Sequence, residues 1–287
     1  MARTTKNVKR KVLDSIMVII LICGVGVLSY PFVRNFLNDL INQQIINHYQ
    51  KEANQTSKKA YQQQLKKMEE KNRQLAYQNI SPGFDPFSNE AKKVEKTKVI
   101  YEEHVIGVIS IPKIKVRLPI FDQTTEDFLS KGATYLEGTS YPIGGESTHS
   151  VISGHRGLTE AKLFTDLPDL KKGNRFYIEL GEGDIHAYEV DNIQVVEPND
   201  VSSLQIVKGQ DYITLVTCTP YMVNSHRLLV RGHRVPYVPE EMAKEVANAK
   251  TNYYLLGVIC AAVLLLILII LLIFRKFKKR RKLSPKK

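Results

Sequence analysis

Between Tyr253 and Phe274 the chain runs for 22 residues without a charge, and directly afterwards it carries nine Lys and Arg and no acid from Arg275 to Lys287. As a helix, 22 residues reach roughly 33 Å at ~1.5 Å per residue, against a hydrocarbon core of ~30 Å. A run of that length and uniformity is expected to cross a membrane. A second apolar run, Ile16 to Tyr30, lies behind five Lys and Arg in residues 1–13. With its flanks from Val12 to Val33 it is also long enough to span. No small-x-small cleavage site follows it, so it is read as a retained anchor rather than a signal peptide. Lys and Arg mark the cytoplasmic side. Both termini are therefore expected inside, with everything from about residue 35 to 250 outside.

The formal charge of +12 does not imply nucleic acid. Of 41 Lys and Arg, fourteen sit in the two tails, leaving 27 against 29 Asp and Glu in the remainder. A near-neutral middle has no general attraction for phosphate backbones, and no nucleic-acid partner is expected.

The exported part divides by texture. Asn35 to Asn79 is rich in Gln, Lys and Asn and lacks Gly and Pro, with apolar residues at helical spacing (Ile41, Ile45, Tyr49; Tyr61, Leu65, Met68). This predicts one or two amphipathic helices acting as a solvated stalk. "SPGFDPF" (Ser81 to Phe87) then breaks the helix, and its Phe84 and Phe87 are expected to dock onto something. From Ile100 to about Val238, strand-sized runs alternate with turn residues: "HVIGVISIPKI", "RLPIFD", "SVISGH", "RFYIEL", "IHAYEVDNIQVV", "DYITLVTC" and "HRLLVRGHRV". That spacing predicts an all-β barrel or sandwich. "TEDFLSKGATYL" and "LFTDLPDLK" read as short helical inserts.

Of three cysteines, Cys23 and Cys260 lie in the apolar runs, so Cys218 is the single exported thiol and has no disulfide partner within that region. It sits at the end of "DYITLVT", where Ile213, Leu215 and Thr217 point one way and Thr214, Val216 and Cys218 the other. On the next predicted strand Arg227, Leu229 and Arg231 share one face. A guanidinium near the thiol favours thiolate and can hold an oxyanion. Alternation does not choose between Arg227 and Arg231. Among seven histidines, His155 stands out in "VISGHRG", a Gly-flanked turn after an apolar strand. No metal site is expected: there is no Cys-x-x-Cys or His-x-x-x-His pair, and His226 and His233 fall on opposite strand faces.

"TLVTC" (Thr214 to Cys218), Arg227 nine residues later and "SGHRG" (Ser153 to Gly157) together resemble the sortases, membrane-bound cysteine transpeptidases of Gram-positive bacteria. The likeness extends from Ile106 to about Val235 and includes "GVISIPKI" and "GTSYPIGGESTHSVISGHRG". "DPF" (Asp85 to Phe87) and the two spans resemble class C, the pilin-polymerising sortases. The resemblance implies a mostly β fold: a closed sortase-type β-barrel with short helices, preceded by N-terminal helices and a lid, and flanked by two transmembrane helices. It implies Cys218 as nucleophile, His155 as acid–base partner, and Arg227, with Thr217, as substrate contacts. Asp85 would pair with Arg227, and Phe87 would cover the thiol.

The implied reaction cleaves an LPxTG-like sorting signal at Thr–Gly through a thioester and joins it to a pilin lysine, with no cofactor. Pilin subunits and the membrane are the implied partners. The expected division is 1–34 tail and first span, 35–80 stalk, 81–98 lid, 99–238 catalytic barrel, 239–252 linker, 253–274 second span and 275–287 basic tail. Alternatives are a housekeeping sortase using cell-wall precursor, an anchored cysteine protease, and a noncatalytic surface receptor.

Overall fold

Short apolar runs punctuated by Pro, Gly and Asp close into an eight-stranded barrel in the computed structural model, which describes residues 2–56, 58–78, 85–87, 100–158 and 161–248. Two helices come first, α1 (Ala2–Gln55) and α2 (Lys58–Gln78). The barrel follows as β1 (Val105–Ile111), β2 (Val116–Phe121), the single-turn helix α3 (Glu126–Leu129), β3 (Ala133–Tyr135), β4 (Thr148–Ser153), β5 (Arg175–Glu179), β6 (Ile185–Val196), β7 (Asp211–Thr219) and β8 (His226–Val235). Around the barrel the order is β1-β2-β3-β4-β7-β8-β6-β5. The β2–β3 and β4–β7 pairs are parallel, and the other neighbours are antiparallel. Of the two architectures the strand spacing allowed, barrel and sandwich, the chain forms the closed barrel.

The interior is filled by one face of each strand, with Ile109, Ile120, Ile152, Phe176, Ile213, Leu215 and Val230 among its buried residues. A second cluster covers the outer face of β4, β7 and β8: Val151, Val216 and Leu229, with Leu136 and Leu204 packed over them. These three strands are buried on both faces at their centres, and there they carry adjacent apolar residues (Val151–Ile152, Leu215–Val216, Leu228–Val230) rather than alternating ones.

"TEDFLSKGATYL" is helical only at its start. Ala133–Tyr135 is a strand, parallel to β2 through Ile120↔Ala133. Gly132 admits it: a Cβ there would lie 2.7 Å from the Pro119 carbonyl oxygen. In "LFTDLPDLK" the helical element is a 3₁₀ turn, Leu167–Asp169.

The N-terminal helices do not form a free stalk. Helix α1 is continuous through residues 34 and 35 and lays Ile45 (3% exposed), Ile46 (0%) and Ala53 (9%) against the barrel. Tyr49 donates to the carbonyl of Ile106 at 3.3 Å, where the β1–β2 register shifts between Val105 and Gly107. The bulge leaves a carbonyl without a ladder partner, and the helix supplies one. From α2, buried Asn72 pairs with Tyr141 in both directions, accepting from its N–H at 2.7 Å and donating to its carbonyl at 3.3 Å. A polar residue on a polar helix thus becomes a docking group by replacing a backbone partner.

Among the described residues no helix is long and apolar enough to cross a membrane. The first expected span falls within α1, where Ile16, Ile20, Val27, Tyr30 and Val33 are exposed. The second, 253–274, lies outside the described residues, as does the basic tail. Residues 239–248 are helical.

Candidate active site

The hairpin of β7 and β8 sets Cys218 directly opposite Arg227. Directly opposed residues in an antiparallel pair have Cβ atoms about 4.5–5.5 Å apart, so the nine-residue spacing translates into side-chain adjacency. Arg231 is opposite Thr214, four residues along the strand. It is held there by Asp191, at 2.9 and 3.1 Å, over the Tyr212 ring. The choice that alternation left open falls on Arg227.

His155 reaches the same end through the parallel β4–β7 pair. Beyond the last register pair, Ser153↔Val216, the chain keeps following β7. Gly154 N–H donates to Val216 O (3.0 Å), Thr217 Oγ1 donates to Gly154 O (2.7 Å), and Arg156 Nη1 donates to Thr219 Oγ1 (3.1 Å). Glycine is required at 154 because the Phe164 ring lies 2.7 Å from where a Cβ would be. The turn carrying His155 is therefore tied residue by residue to the strand end carrying Cys218.

Asp85, Pro86 and Phe87 lie across this end. Phe87 N–H points to Asp85 Oδ1 at 3.4 Å, the turn that Asp and Pro favour. Asp85 accepts from Arg227 Nε at 2.7 Å and Nη2 at 2.5 Å, a two-pronged pair in which Arg227 is 7% and Asp85 6% exposed. Arg227 Nη1 donates to the carbonyls of Asn224 and His226, both at 2.9 Å. The Phe87 ring lies between the two bases, 5.5 Å from the His155 ring and 5.4 Å from the Arg227 guanidinium carbon. Beside Arg227 a small slot is lined by Val196, Val201, Leu204, Val216 and Leu229, with Asp85, Pro86 and Asp200 also in its wall.

The thiol's electrostatics run opposite to the expectation from its basic neighbour. Cys218 is 6% exposed, and burial pushes its pKa up. Arg227 pulls it down, and Asp85 pushes it up again. With the Asp85–Phe87 segment in place the guanidinium's charge is largely answered by Asp85, so desolvation wins.

Thr217 needs correction as a substrate contact. It faces inward with Leu215, is 0% exposed, and spends its hydroxyl on Gly154. Residues 81–84, Phe84 among them, and 88–98 of the expected lid lie outside the described residues. Two residues went unread in the sequence. Arg156 clamps the His155 turn to β7 and stacks on Tyr221. Glu126 Oε1 lies 3.0 Å from His155 Nε2. The only sequence signal for Glu126 was the helix start at "TTED", which says nothing about a histidine 29 residues on. The other described histidines are engaged elsewhere, His149 for example with Thr214 and the Gln205 carbonyl. Among the described residues no group of three or more His, Cys, Asp or Glu could hold a metal ion.

A thiol, a guanidinium and an imidazole at one strand end suit acyl transfer: attack on a carbonyl, stabilisation of the oxyanion and proton transfer to the leaving amine. Comparison with known proteins agrees with that chemistry. The family model of the sortase domain matches residues 109–235. The chain is 30% identical over 206 residues to Sortase A of Streptococcus agalactiae serotype III, covering 71% of this chain and 77% of that one. It is 29% identical to Sortase A of Bacillus anthracis, covering 68% and 88%. Among solved structures, sortase C-1 of Streptococcus pneumoniae superposes with a TM-score of 0.62 at 45% identity, over 69% of this chain and 100% of that one. Sortase C1 of the group B Streptococcus pilus island 1 gives a TM-score of 0.61 at 41% identity, over 69% and 94%.

Proposed function

The chain belongs to the sortase family of cysteine transpeptidases, and from that premise we propose that it polymerises pilins. Cys218 attacks the Thr–Gly bond of an LPxTG-like sorting signal. The carbonyl oxygen takes up negative charge against Arg227, and His155 protonates the departing Gly amine, leaving a thioester on Cys218. A lysine amine of a second pilin then attacks the thioester carbonyl. His155 takes its proton, the C–S bond breaks, and an isopeptide bond remains. The acyl group stays activated throughout, so the reaction requires neither ATP nor a cofactor.

The observation that carries the reading is the cross-strand pair Cys218–Arg227 with His155 tied to the same strand end. The class C assignment is supported by Asp85 and Phe87, which occupy the donors and the ring face that a substrate needs. It is also supported by likeness to a sortase of a pilus island. Asp85 must leave before Arg227 can meet an oxyanion, since the fork that faces outward is the one it holds.

The same proposal places the enzyme on the outer face of the cell membrane with both termini inside. In support, α1 carries exposed Val27, Tyr30, Val33 and Phe36 along one continuous helix behind a basic tail, and a second charge-free run precedes the other tail.

The test mixes the full chain, in detergent, with a sorting-signal peptide and either a pilin lysine donor, a cell-wall precursor amine, or water alone. An isopeptide product that needs the lysine donor and vanishes in Cys218→Ala supports the proposal. Product only with the wall precursor points to a housekeeping enzyme, and hydrolysis alone to a protease. Full activity in Cys218→Ala refutes the thiol mechanism.

A further inference from the structure

We propose that Glu126 is a positioning residue for His155, holding Nε2 so that Nδ1 is the nitrogen offered to the thiol and the leaving amine. This rests on the assignment of His155 as the acid–base group.

The backbone of His155 is fixed by its ties to β7, but those ties leave the ring free to turn about its side-chain bonds. Among the described residues, two groups meet the ring through a ring contact or a hydrogen bond. One is Phe87, 5.5 Å away, which lies on the Asp85 segment proposed to leave when substrate enters. The other is Glu126, whose Oε1 stands 3.0 Å from Nε2. Of the two, Glu126 is the one that does not lie on that segment.

Glu126 itself is 69% exposed in its side chain, but it projects from an immobile base. Thr125 Oγ1 caps α3 by accepting from Phe128 N–H. Phe128 and Leu129, 2% and 0% exposed, anchor the turn. The Phe128 ring packs at 4.8 Å on Phe121 and edge-on to Tyr101, in a cluster that α1 closes with Ile45. A carboxylate beside Nε2 favours the tautomer with its proton on Nε2, leaving Nδ1 basic. Among the described residues, the Arg227–Asp85 pair meets the other side of the Phe87 ring, and Arg156 turns to Thr165, Thr219 and Tyr221.

The experiment uses the full chain in detergent with a sorting peptide and a lysine donor. Glu126→Gln removes the charge, Glu126→Ala removes the acceptor, and Glu126→Asp restores a carboxylate. The kcat and KM are measured for each variant, and ring tautomers are read by NMR of ¹⁵N-histidine protein, with His155→Gln to assign the signal. Glu126→Gln is expected to lower kcat roughly fivefold, the scale of an exposed ion pair, with KM within about twofold. Glu126→Asp falls between Gln and the unaltered protein. Glu126→Ala loses the Nε2–H preference in the NMR spectrum, and all three keep the unaltered melting temperature.

An unchanged kcat in Glu126→Gln, a change confined to KM, or an Nδ1–H tautomer in the unaltered protein overturns the proposal. Retained activity in His155→Ala overturns the catalytic assignment instead, and the tautomer measurement then still decides whether Glu126 orients the ring.

Discussion

Asp85→Ala should expose Cys218, and the structure sets the size of the effect. Asp85 holds Arg227 through two charge-assisted bonds of 2.7 and 2.5 Å. Bonds of that kind contribute ~1.5–3 kcal/mol each, or about 3–6 kcal/mol together. The Phe87 ring against the guanidinium adds ~0.5–2 kcal/mol. Against this, ordering the backbone of the three residues costs ~1–2 kcal/mol each. The closed position is then favoured by about 0.5–2 kcal/mol, which leaves it open roughly 3–30% of the time. Removing the carboxylate leaves too little to hold the segment down, so the open fraction approaches one. A thiol reagent that reaches Cys218 only when the segment is open should react about three- to thirtyfold faster.

A second effect has the same sign. Asp85 pushes the thiol pKa up while Arg227 pulls it down, so deleting Asp85 raises the thiolate fraction near neutral pH and the kinetic estimate is a lower bound. The assay is stopped-flow maleimide labelling of the full chain in detergent with Cys23 and Cys260 replaced by Ser, so that one thiol reports. An Asp85→Ala rate equal to that of the unaltered protein would show that the segment does not guard the thiol, and the ion pair would then be structural only.

Two further substitutions probe the frame around the site. Gly154→Ala sets a Cβ 2.7 Å from the Phe164 ring; it should cost ~1–3 kcal/mol in chemical denaturation and lower kcat by displacing the His155 turn. Phe164→Leu in the same chain should recover part of both, and failure to do so would refute steric contact as the cause. For His149, burial drives the pKa down to about 4, against ~6.5 in an unfolded chain. The folded state therefore refuses a proton that the unfolded state accepts. Stability is fully present above about pH 6.5 and falls as the pH drops from there towards 4, by up to ~3 kcal/mol for this residue. His149→Asn should flatten that part of the stability curve, and equal slopes for both proteins would show that His149 does not set it.

What was legible in the sequence tracks how local each contact is. Strands with clean alternation or doubly apolar runs were readable, and Cys218 met Arg227 because one hairpin joins them. Ala133–Tyr135 was not readable as a strand: three residues are too few to establish a period of two, and the helix start at Thr125 dominated the window. The helical spacing of 35–79 was visible, yet its docking was not. Docking depends on Asn72 answering the backbone of Tyr141 and on Tyr49 answering a carbonyl freed by a bulge, and neither partner is marked by periodicity. His155 lies 63 residues before Cys218 and joins it through a parallel strand pair, so only the family resemblance linked them. The thiol's charge state was the hardest to read. Its sequence neighbourhood offers a guanidinium, which favours thiolate, but the direction is set first by burial, with Asp85, 133 residues away, working the same way. A catalytic residue type can be recognised from its neighbours along the chain, while its protonation depends on whatever the fold lays over it.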